Sequence, residues 1–271
     1  MSAATRKRFA EVVRSEPVDV GLACLLVGAE VDLDLDVDAA LAALDALAAT
    51  VHLPPGPPVS PLAAAEALRR ALGERAGFSG GSFEQLRSSL LSEVIRHGKG
   101  LPLLLSVVWV EVARRRGIPA YAVGLPGRVV VCVGDAEDEH VVVDPYDGGR
   151  LVSPDQLAVL VGRPVLLADL GPVRPEDLLL RLLTNIRALT ARQRLGLPTA
   201  ATRLWAVELS LLLPRHPVAL RRERGELLVR LGNHLAGAEE LETYAAVVED
   251  ADEQGAAQAR RSARSARAQL N

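Results

Sequence analysis

The stretch KGLPLLLSVVWVEVARRRGIPAYAVGLPGR, residues 99–128, largely determines the fold class of this chain. Residues 102–116 are predicted to form a helix, because apolar residues run almost without a break before Glu111 and three arginines. Gly117 and Pro119 then end the helix. A helix that is apolar on nearly all sides is expected to lie inside a core rather than on a surface.

Three short β-rich runs follow this helix, and Pro126-Gly127 separates the first two of them. The runs are Ala120–Val123, Val129–Val133 and His140–Asp144. The sequence DPYDGG, residues 144–149, then predicts a turn. One buried helix packed on a small antiparallel sheet gives an α+β core.

Helical segments are predicted on both sides of this core. The turns at Leu195-Gly196 and Leu231-Gly232 are 36 residues apart, close to the length of a tetratricopeptide unit. We therefore predict an N-terminal helical segment at 1–75, the core at 76–170 and tetratricopeptide-like helical hairpins at 171–271. The individual helices are predicted at 18–31, 37–51, 61–75 and 84–97, and at 175–194, 199–213, 216–231, 235–250 and 253–269.

The composition argues against several classes of function. A formal net charge of −3 lacks the basic character of a nucleic-acid-binding domain. Two cysteines, Cys24 and Cys132, are too few for a disulfide framework or a thiolate zinc site, and we expect neither metal nor cofactor. The longest apolar run, Leu101–Val110, is too short to span a bilayer, and no signal peptide is recognisable. A cytoplasmic protein without nucleic-acid or membrane partners is predicted.

The motif series GLPLLLSVVWVEVARRRGIPAYAVGLPGRVVV…VDPYDGG resembles the SirB-like proteins, which join a transglutaminase-like core to C-terminal tetratricopeptide repeats. Residues 22–51 look like the N-terminal helices of that family, and residues 221–247 look like its repeat segment. The resemblance covers most of the chain and implies the same order of parts.

An active transglutaminase-like core needs a cysteine at the start of the buried helix, a histidine on a strand and an aspartate on the next strand. The resemblance places these three positions at Pro102, Arg128 and Asp144. Proline suits the first turn of a helix but offers no nucleophile, and arginine stays protonated and is no general base. Only the aspartate of the triad is retained, so no catalytic residue is expected.

Strand alternation suggests which side chains meet in the predicted hairpin. If its turn centres near Ala136, Arg128 faces Asp144 and Cys132 faces His140. The Arg128–Asp144 pair would either lock the hairpin to the start of the helix or present a guanidinium to a carboxylate or phosphate ligand. The Cys132–His140 pair would be either an ordinary cross-strand pair or a relocated catalytic dyad.

Two residues near these positions, Tyr146 and Lys99, are further candidates for binding a ligand in the cleft. The interpretation that the residues favour is a non-catalytic binding module with a regulatory role, in which the core is a scaffold or a ligand cleft. A protein or peptide would then bind through the C-terminal helices. The alternative is a peptidase or amide-transfer enzyme that uses a nonstandard site in the cleft.

Overall fold

Four helices open the part of the chain that the structure describes, a computed structural model covering residues 3–56, 59–192 and 196–269. Asp19, Asp36 and Ser60 cap the second, third and fourth of them, since each side chain accepts a hydrogen bond from a backbone N–H of the first turn. The helix α4 continues as a π-helical turn over Arg69–Arg75. The bounds are α1 Ala3–Val12, α2 Val20–Gly28, α3 Val37–Ala49 and α4 Pro61–Leu68.

Residues 84–97 form two short elements, so the single helix predicted there is wrong. A 3-10 turn covers Leu86–Ser89, and α5 covers Leu91–His97, with Leu90 extended between them. The reason is a tertiary contact, because the backbone N–H of Leu101 bonds to the carbonyl of Ser88 at 3.0 Å and holds the turn out of line with α5. Around these elements, β1 (Ser79–Gly80) pairs in parallel with β2 (Lys99–Gly100).

The buried helix of the core is α6, Pro102–Arg115, close to the predicted bounds. Trp109 in its middle is fully buried, as the apolar pattern predicts, and packs edge-on against Phe78 with ring centroids 6.2 Å apart. The helix ends where Gly117 takes a positive φ of 67°, a conformation that favours glycine. The helix α6 therefore forms the centre of the main hydrophobic core.

A four-stranded antiparallel sheet packs on α6 in the order β3-β4-β5-β6. Its strands are β3 Ala120–Leu125, β4 Arg128–Gly134, β5 His140–Asp144 and β6 Arg150–Leu151. Val129, Val131 and Val133 face the main core, whereas Val130 and Cys132 belong to a second buried cluster on the other face of the sheet. The predicted alternation of faces is confirmed, and both faces of β4 are buried.

The predicted register of the β4–β5 hairpin is wrong by two residues. Cys132 pairs with Val142, and His140 pairs with Gly134, so Cys132 and His140 do not face each other. The strand β4 extends to Gly134, whose φ of 124° favours glycine, and the loop spans 135–139. A shift of two residues keeps every side chain on its face, which is why the alternation alone does not detect it.

A helix that the sequence reading missed, α7 (Pro154–Val161), covers the second face of the sheet. Ser153 and Gln156 form a capping box at its start, and Pro154 occupies the first turn. Leu157 is the buried residue of α7 and packs in the cluster with Val130 and Cys132. The Ser153–Gln156 capping box was the sequence signal that could have predicted the start of α7. Short 3-10 turns at Pro145–Asp147 and Leu167–Leu170 flank this region.

Five helices complete the described chain, and each packs on the next. Leu182 of α8 and Trp205 of α9 lie in the same buried cluster as α6, so this helical region begins inside the main core. Gly225 and Gly237 let α10 and α11 approach closely, since a Cβ at either would lie within 3 Å of the other helix. Residues 193–195 lie outside the described residues. They include the last two positions of the helix predicted at 175–194 and Leu195 of the turn predicted after it. The bounds are α8 Pro175–Arg192, α9 Leu197–Leu212, α10 Ala219–Arg230, α11 His234–Val248 and α12 Glu253–Ala268.

Candidate functional site

Pro102, at the position expected for a nucleophile, is buried in the first turn of α6. Leu101 before it is extended, and the proline begins the helix because it needs no partner for an N–H. The hydroxyl of Ser106 donates to the carbonyl of Pro102 at 2.9 Å and lies 3.3 Å from the carbonyl of Val129. The Ser106 hydroxyl, one turn after Pro102, therefore lies between two backbone carbonyls and connects α6 to β4.

Arg128 and Asp144 form an ion pair at the end of the sheet. The Nε and Nη2 atoms of Arg128 lie 3.1 Å and 2.5 Å from Asp144 Oδ2, and the backbone N–H of Tyr146 donates to Asp144 Oδ1 at 2.9 Å. The side chain of Asp144 is 3% exposed and that of Arg128 is 22% exposed. Both carboxylate oxygens are therefore engaged by donors, and the predicted contact forms diagonally rather than between facing residues.

Tyr146 completes this arrangement from the turn after β5. Its ring centroid lies 4.8 Å from the guanidinium carbon of Arg128, a cation–π contact. Its hydroxyl donates to the carbonyl of Gly81 at 3.2 Å. A Cβ at Gly80 would lie 2.4 Å from the ring, so this close approach requires glycine. Tyr146 thus fills the space between Arg128 and two glycines, Gly80 at the end of β1 and Gly81 directly after it.

An open cavity of about 580 Å³ lies beside the ion pair. This volume is in the range of small-molecule sites. Arg128, Asp144 and Tyr146 form one wall, and α7 forms another with Val159 and Leu160, which are 83% and 44% exposed. The cavity therefore combines a charged wall with an apolar one.

Arg181 of α8 binds the turn that joins β3 to β4, and sequence reasoning missed it. Its Nη1 and Nη2 atoms donate to the carbonyls of Leu125 and Arg128 at 3.1 Å and 3.2 Å. Burial lowers the pKa of this guanidinium from its ordinary value, and the side chain stays protonated as arginines do. No local motif connects Arg181 to a turn more than fifty residues away, so the sequence carried no signal for this contact.

Lys99 lies outside the cavity that contains Arg128. Its ammonium donates to the hydroxyl of Ser79, and it lines a separate groove with Gly81 and His97. Tyr146 contacts the glycine segment between the two spaces. The predicted cleft residues are therefore divided between two concave surfaces.

Cys132 and His140 do not form a dyad. Cys132 is fully buried and pairs across the sheet with Tyr121 and Val142. Burial raises the pKa of the Cys132 thiol to about 11, so it is protonated at neutral pH. His140 is partly exposed, and its Nδ1 lies 3.2 Å from the carbonyl oxygen of Asp138. A buried protonated thiol that does not face the imidazole is no activated nucleophile.

Within the described ranges, no cluster of three or more His, Cys, Asp or Glu side chains is arranged to hold a metal ion. Among the same residues, no helix is both long and apolar enough to cross a lipid bilayer.

A chain of ion pairs joins α1 to the C-terminal helices. Arg6 contacts Glu30 at 3.2 Å and Glu208 of α9 at 2.6 Å. Arg224 of α10 then contacts Glu208 at 3.2 Å and Glu240 of α11 at 2.7 Å. The side chain of Glu30 is fully buried, so this network couples the N-terminal helices to the repeat region through partly desolvated charges.

A second ionic cluster joins α8, α9 and α10 at Glu223. Arg187 contacts this carboxylate through two nitrogens, and Arg203 Nε lies 2.6 Å from it. Burial alone would raise the pKa of Glu223, but the hydrogen bonds and charges of both arginines outweigh it and hold that pKa below its ordinary value. Glu223 is therefore ionised at neutral pH and connects three helices.

Comparison with known proteins finds family matches for two parts of the chain. The family described as the transglutaminase-like superfamily matches residues 38–184, and the family described as the tetratricopeptide repeat matches residues 198–271. A UPF0162 protein of Xylella fastidiosa (strain 9a5c) is 32% identical over 190 residues, 66% of each chain. A UPF0162 protein of Pseudomonas aeruginosa is 37% identical over 122 residues, 43% of each chain. The matched regions thus span just under two thirds of these relatives at most.

Among solved structures, a crystal structure of menin aligns with a TM-score of 0.44 and 11% sequence identity, covering 94% of this chain and 68% of that one.

Proposed function

Because this chain belongs to the transglutaminase-like superfamily and adds tetratricopeptide repeats to that core, as SirB-like proteins do, we propose that it binds a protein partner and catalyses no acyl transfer. Tetratricopeptide repeats generally mediate contacts between proteins. We propose that the partner binds on the C-terminal helices α8–α12 and that the core serves as their scaffold, in the cytoplasm.

The observation that supports the non-catalytic reading most directly is the Arg128–Asp144 ion pair. Three donors engage the Asp144 carboxylate, and the Tyr146 ring lies against the guanidinium. In an active core this aspartate would orient a histidine, whereas here it holds a cation that cannot accept a proton. Pro102 at the start of α6 supplies no nucleophile either.

The scaffold role of the core rests on how firmly the helices are attached to it. The helices α8 and α9 share the main buried cluster, and the Arg6–Glu208–Arg224 ion pairs join α1 to α9 and α10. We propose the division into an N-terminal segment at 1–75, a core at 76–170 and a repeat region at 171–271 as a functional one, with binding confined to the third part.

The catalytic half of the proposal is tested with purified protein. The chain is incubated with a glutamine peptide and hydroxylamine, and separately with fluorogenic peptide substrates. We expect product formation equal to that in buffer alone. Turnover by the wild type that is lost in Asp144→Asn or Cys132→Ala would contradict the proposal and establish the alternative, an enzyme with a nonstandard site.

The binding half is tested by crosslinking the tagged chain in its native cells and identifying captured proteins by quantitative mass spectrometry. Leu235 and Val247 are exposed apolar residues of α11, at 54% and 61%, and Val159 is a matched exposed residue of the core, at 83%. We expect one specific partner that is lost with Leu235→Glu and Val247→Glu and retained with Val159→Glu. A partner lost only with Val159→Glu would place binding on the core instead.

A second role, ligand binding in the core, is favoured by the cavity of about 580 Å³ beside Arg128, Asp144 and Tyr146. Its test is a screen of small carboxylates and phosphates by thermal shift, with Arg128→Met as the variant. Stabilisation of the wild type but not of Arg128→Met would support this role, and equal stabilisation of both would count against it.

A further inference from the structure

A second concave surface, the Lys99 groove, lies outside the site described above. It has a volume of about 370 Å³ and is formed by the segment after β1, the 3-10 turn Leu86–Ser89, α5 and β2. The backbone N–H of Gly81 bonds to the carbonyl of Gly100 at 2.9 Å, which fixes one wall. The residues that matter for its chemistry are Gly81, Arg87, Ser88, Glu93, His97 and Lys99.

Positive groups predominate in the Lys99 groove. Arg87 and Lys99 have no carboxylate partner among the described residues. Arg87 uses its Nε to bond Gln85 at 2.8 Å, which leaves both terminal nitrogens without a partner in the described chain. The carboxylate in the groove, Glu93, already contacts Arg96 at 2.6 Å and His97 at 3.4 Å. The charge that remains available to a ligand is therefore positive.

Lys99 is also unusual in the composition of the chain. The sequence contains 29 arginines and only two lysines, Lys7 and Lys99. An ammonium is a compact charge with three rotatable donors, and that of Lys99 makes a single hydrogen bond within the described residues, to the Ser79 hydroxyl. Donors of this side chain thus remain free for a ligand in the groove.

Ser88 adds a neutral donor at the base of the groove. The residue is only 3% exposed and lines the groove, and its hydroxyl has no hydrogen-bond partner within the described ranges. A Cβ at position 81 would lie 3.0 Å from Ser88 Oγ, so Gly81 leaves this hydroxyl uncovered. A hydroxyl that is open to the groove can donate a hydrogen bond to a ligand or to water.

We propose that the Lys99 groove binds a phosphoryl group, held by the Lys99 ammonium, the Arg87 guanidinium and the Ser88 hydroxyl. Such a group offers several acceptor oxygens and about two negative charges, which match two cations and one hydroxyl donor. The groove is separate from the cavity at Arg128, so this binding does not depend on the function proposed above.

The test is calorimetric titration of the full chain with inorganic phosphate at constant ionic strength, so that general screening of surface charge does not change. The variants are Lys99→Gln and Ser88→Ala, with Lys7→Gln as the matched control at the other lysine. Lys7 is exposed, on α1, and its ammonium lies 3.9 Å from the carboxylate of Glu11, far along the chain from the groove. Circular dichroism verifies that each variant is folded.

We expect saturable binding to the wild type, at least about tenfold weaker in Lys99→Gln, measurably weaker in Ser88→Ala and unchanged in Lys7→Gln. Absence of saturable binding to the folded wild type would overturn the proposal. So would equal weakening by Lys7→Gln, or wild-type affinity in both groove variants.

A second arm distinguishes the source of the phosphoryl group. A short phosphoserine peptide and its unphosphorylated counterpart are titrated in the same way. Binding of the phosphopeptide more tightly than inorganic phosphate would assign the groove to a modified protein. Binding of inorganic phosphate alone would assign it to a small phosphorylated molecule. Either result supports a phosphoryl site, and binding of both peptides alike would contradict one.

Discussion

Replacing Arg128 with methionine should destabilise the fold through the carboxylate that it leaves behind. Methionine keeps an apolar stem near Tyr146 but removes both guanidinium bonds to Asp144, at 3.1 Å and 2.5 Å. The Asp144 side chain is 3% exposed and would retain only the N–H of Tyr146. Its charge would then be buried with a single donor.

The expected loss of unfolding free energy follows from how deeply Arg128 and Asp144 are buried. Removing one partner of a fully buried ion pair costs about 3–5 kcal/mol. Because Arg128 is 22% exposed, water can reach the vacated space, and we expect a loss of about 2–3 kcal/mol. Asp144→Asn should cost less, about 1–2 kcal/mol, since the freed arginine can turn to solvent.

The assay is urea unfolding at pH 7, followed by circular dichroism, for both single variants and the double variant Arg128→Met/Asp144→Asn. We expect the double variant to cost less than the sum of the single ones, with a coupling energy of about 1.5 kcal/mol. Arg150→Met is the matched control, because the Arg150–Asp147 pair lines the same cavity with side chains 74% and 59% exposed. This control should cost less than about 0.5 kcal/mol.

A cost of Arg128→Met no larger than that of Arg150→Met would refute the reasoning. A coupling energy near zero would do so as well. Either outcome would mean that solvent screens the Arg128–Asp144 pair, so that the pair does not hold the sheet end against the Tyr146 turn.

Three further predictions concern other parts of the molecule. Both cysteines should resist alkylation at pH 7.5 in the native protein. Burial raises the pKa of the Cys132 thiol to about 11 and raises that of the Cys24 thiol as well. Rapid labelling of either cysteine, detected by mass spectrometry, would show an accessible thiolate. Glu223→Gln should lower stability at pH 7, and by less as the pH falls below the ordinary range of a glutamate. The pKa of Glu223 is lower in the folded protein, so its contribution is present above the unfolded value and is lost as pH falls through the folded one. A difference in unfolding free energy that stays constant from pH 7 to pH 3 would disprove that linkage. Gly73→Ala should destabilise the fold by about 2 kcal/mol or more in urea melts, because a Cβ there would lie 1.9 Å from the carbonyl oxygen of Gly148; a neutral effect would mean that the turn after β5 moves freely.

Much of the fold was predictable because local chemistry specifies it. The apolar run of α6, with Pro102 at its start and Gly117 after its end, defines a buried helix without reference to any other part of the chain. The valine alternation likewise assigns residues 129, 131 and 133 to one face and Cys132 to the other, as observed. The SirB-like order of core and repeats, predicted from motifs, is confirmed by the family matches.

The missed elements had weaker or non-local signals. The helix α7 has a capping box at Ser153, but only Leu157 of its residues is buried, so the apolar pattern gives little periodicity. The break at Leu90 has no local signal, since the contact between Leu101 and Ser88 creates it.

The identities of the candidate site residues came from the sequence, but their arrangement did not. Pro102 and Arg128 can be read directly as residues without a nucleophile or a base. Alternation constrains the face of a strand residue but not its partner, because a slip of two residues preserves every face. The pairing of Cys132 with Val142 was therefore decided by the conformation of the loop after Gly134.

The sequence by itself determined the buried helix, the three longer strands and the repeat helices, because these depend on residue type and on neighbours within about four positions. The tertiary structure alone decided that Tyr146 reaches Gly81, 65 residues away, and that this contact separates Lys99 from the cavity of Arg128. Such contacts depend on how loops return the chain to the core. Their free energy comes from burial and hydrogen bonding between distant segments, which no local pattern encodes.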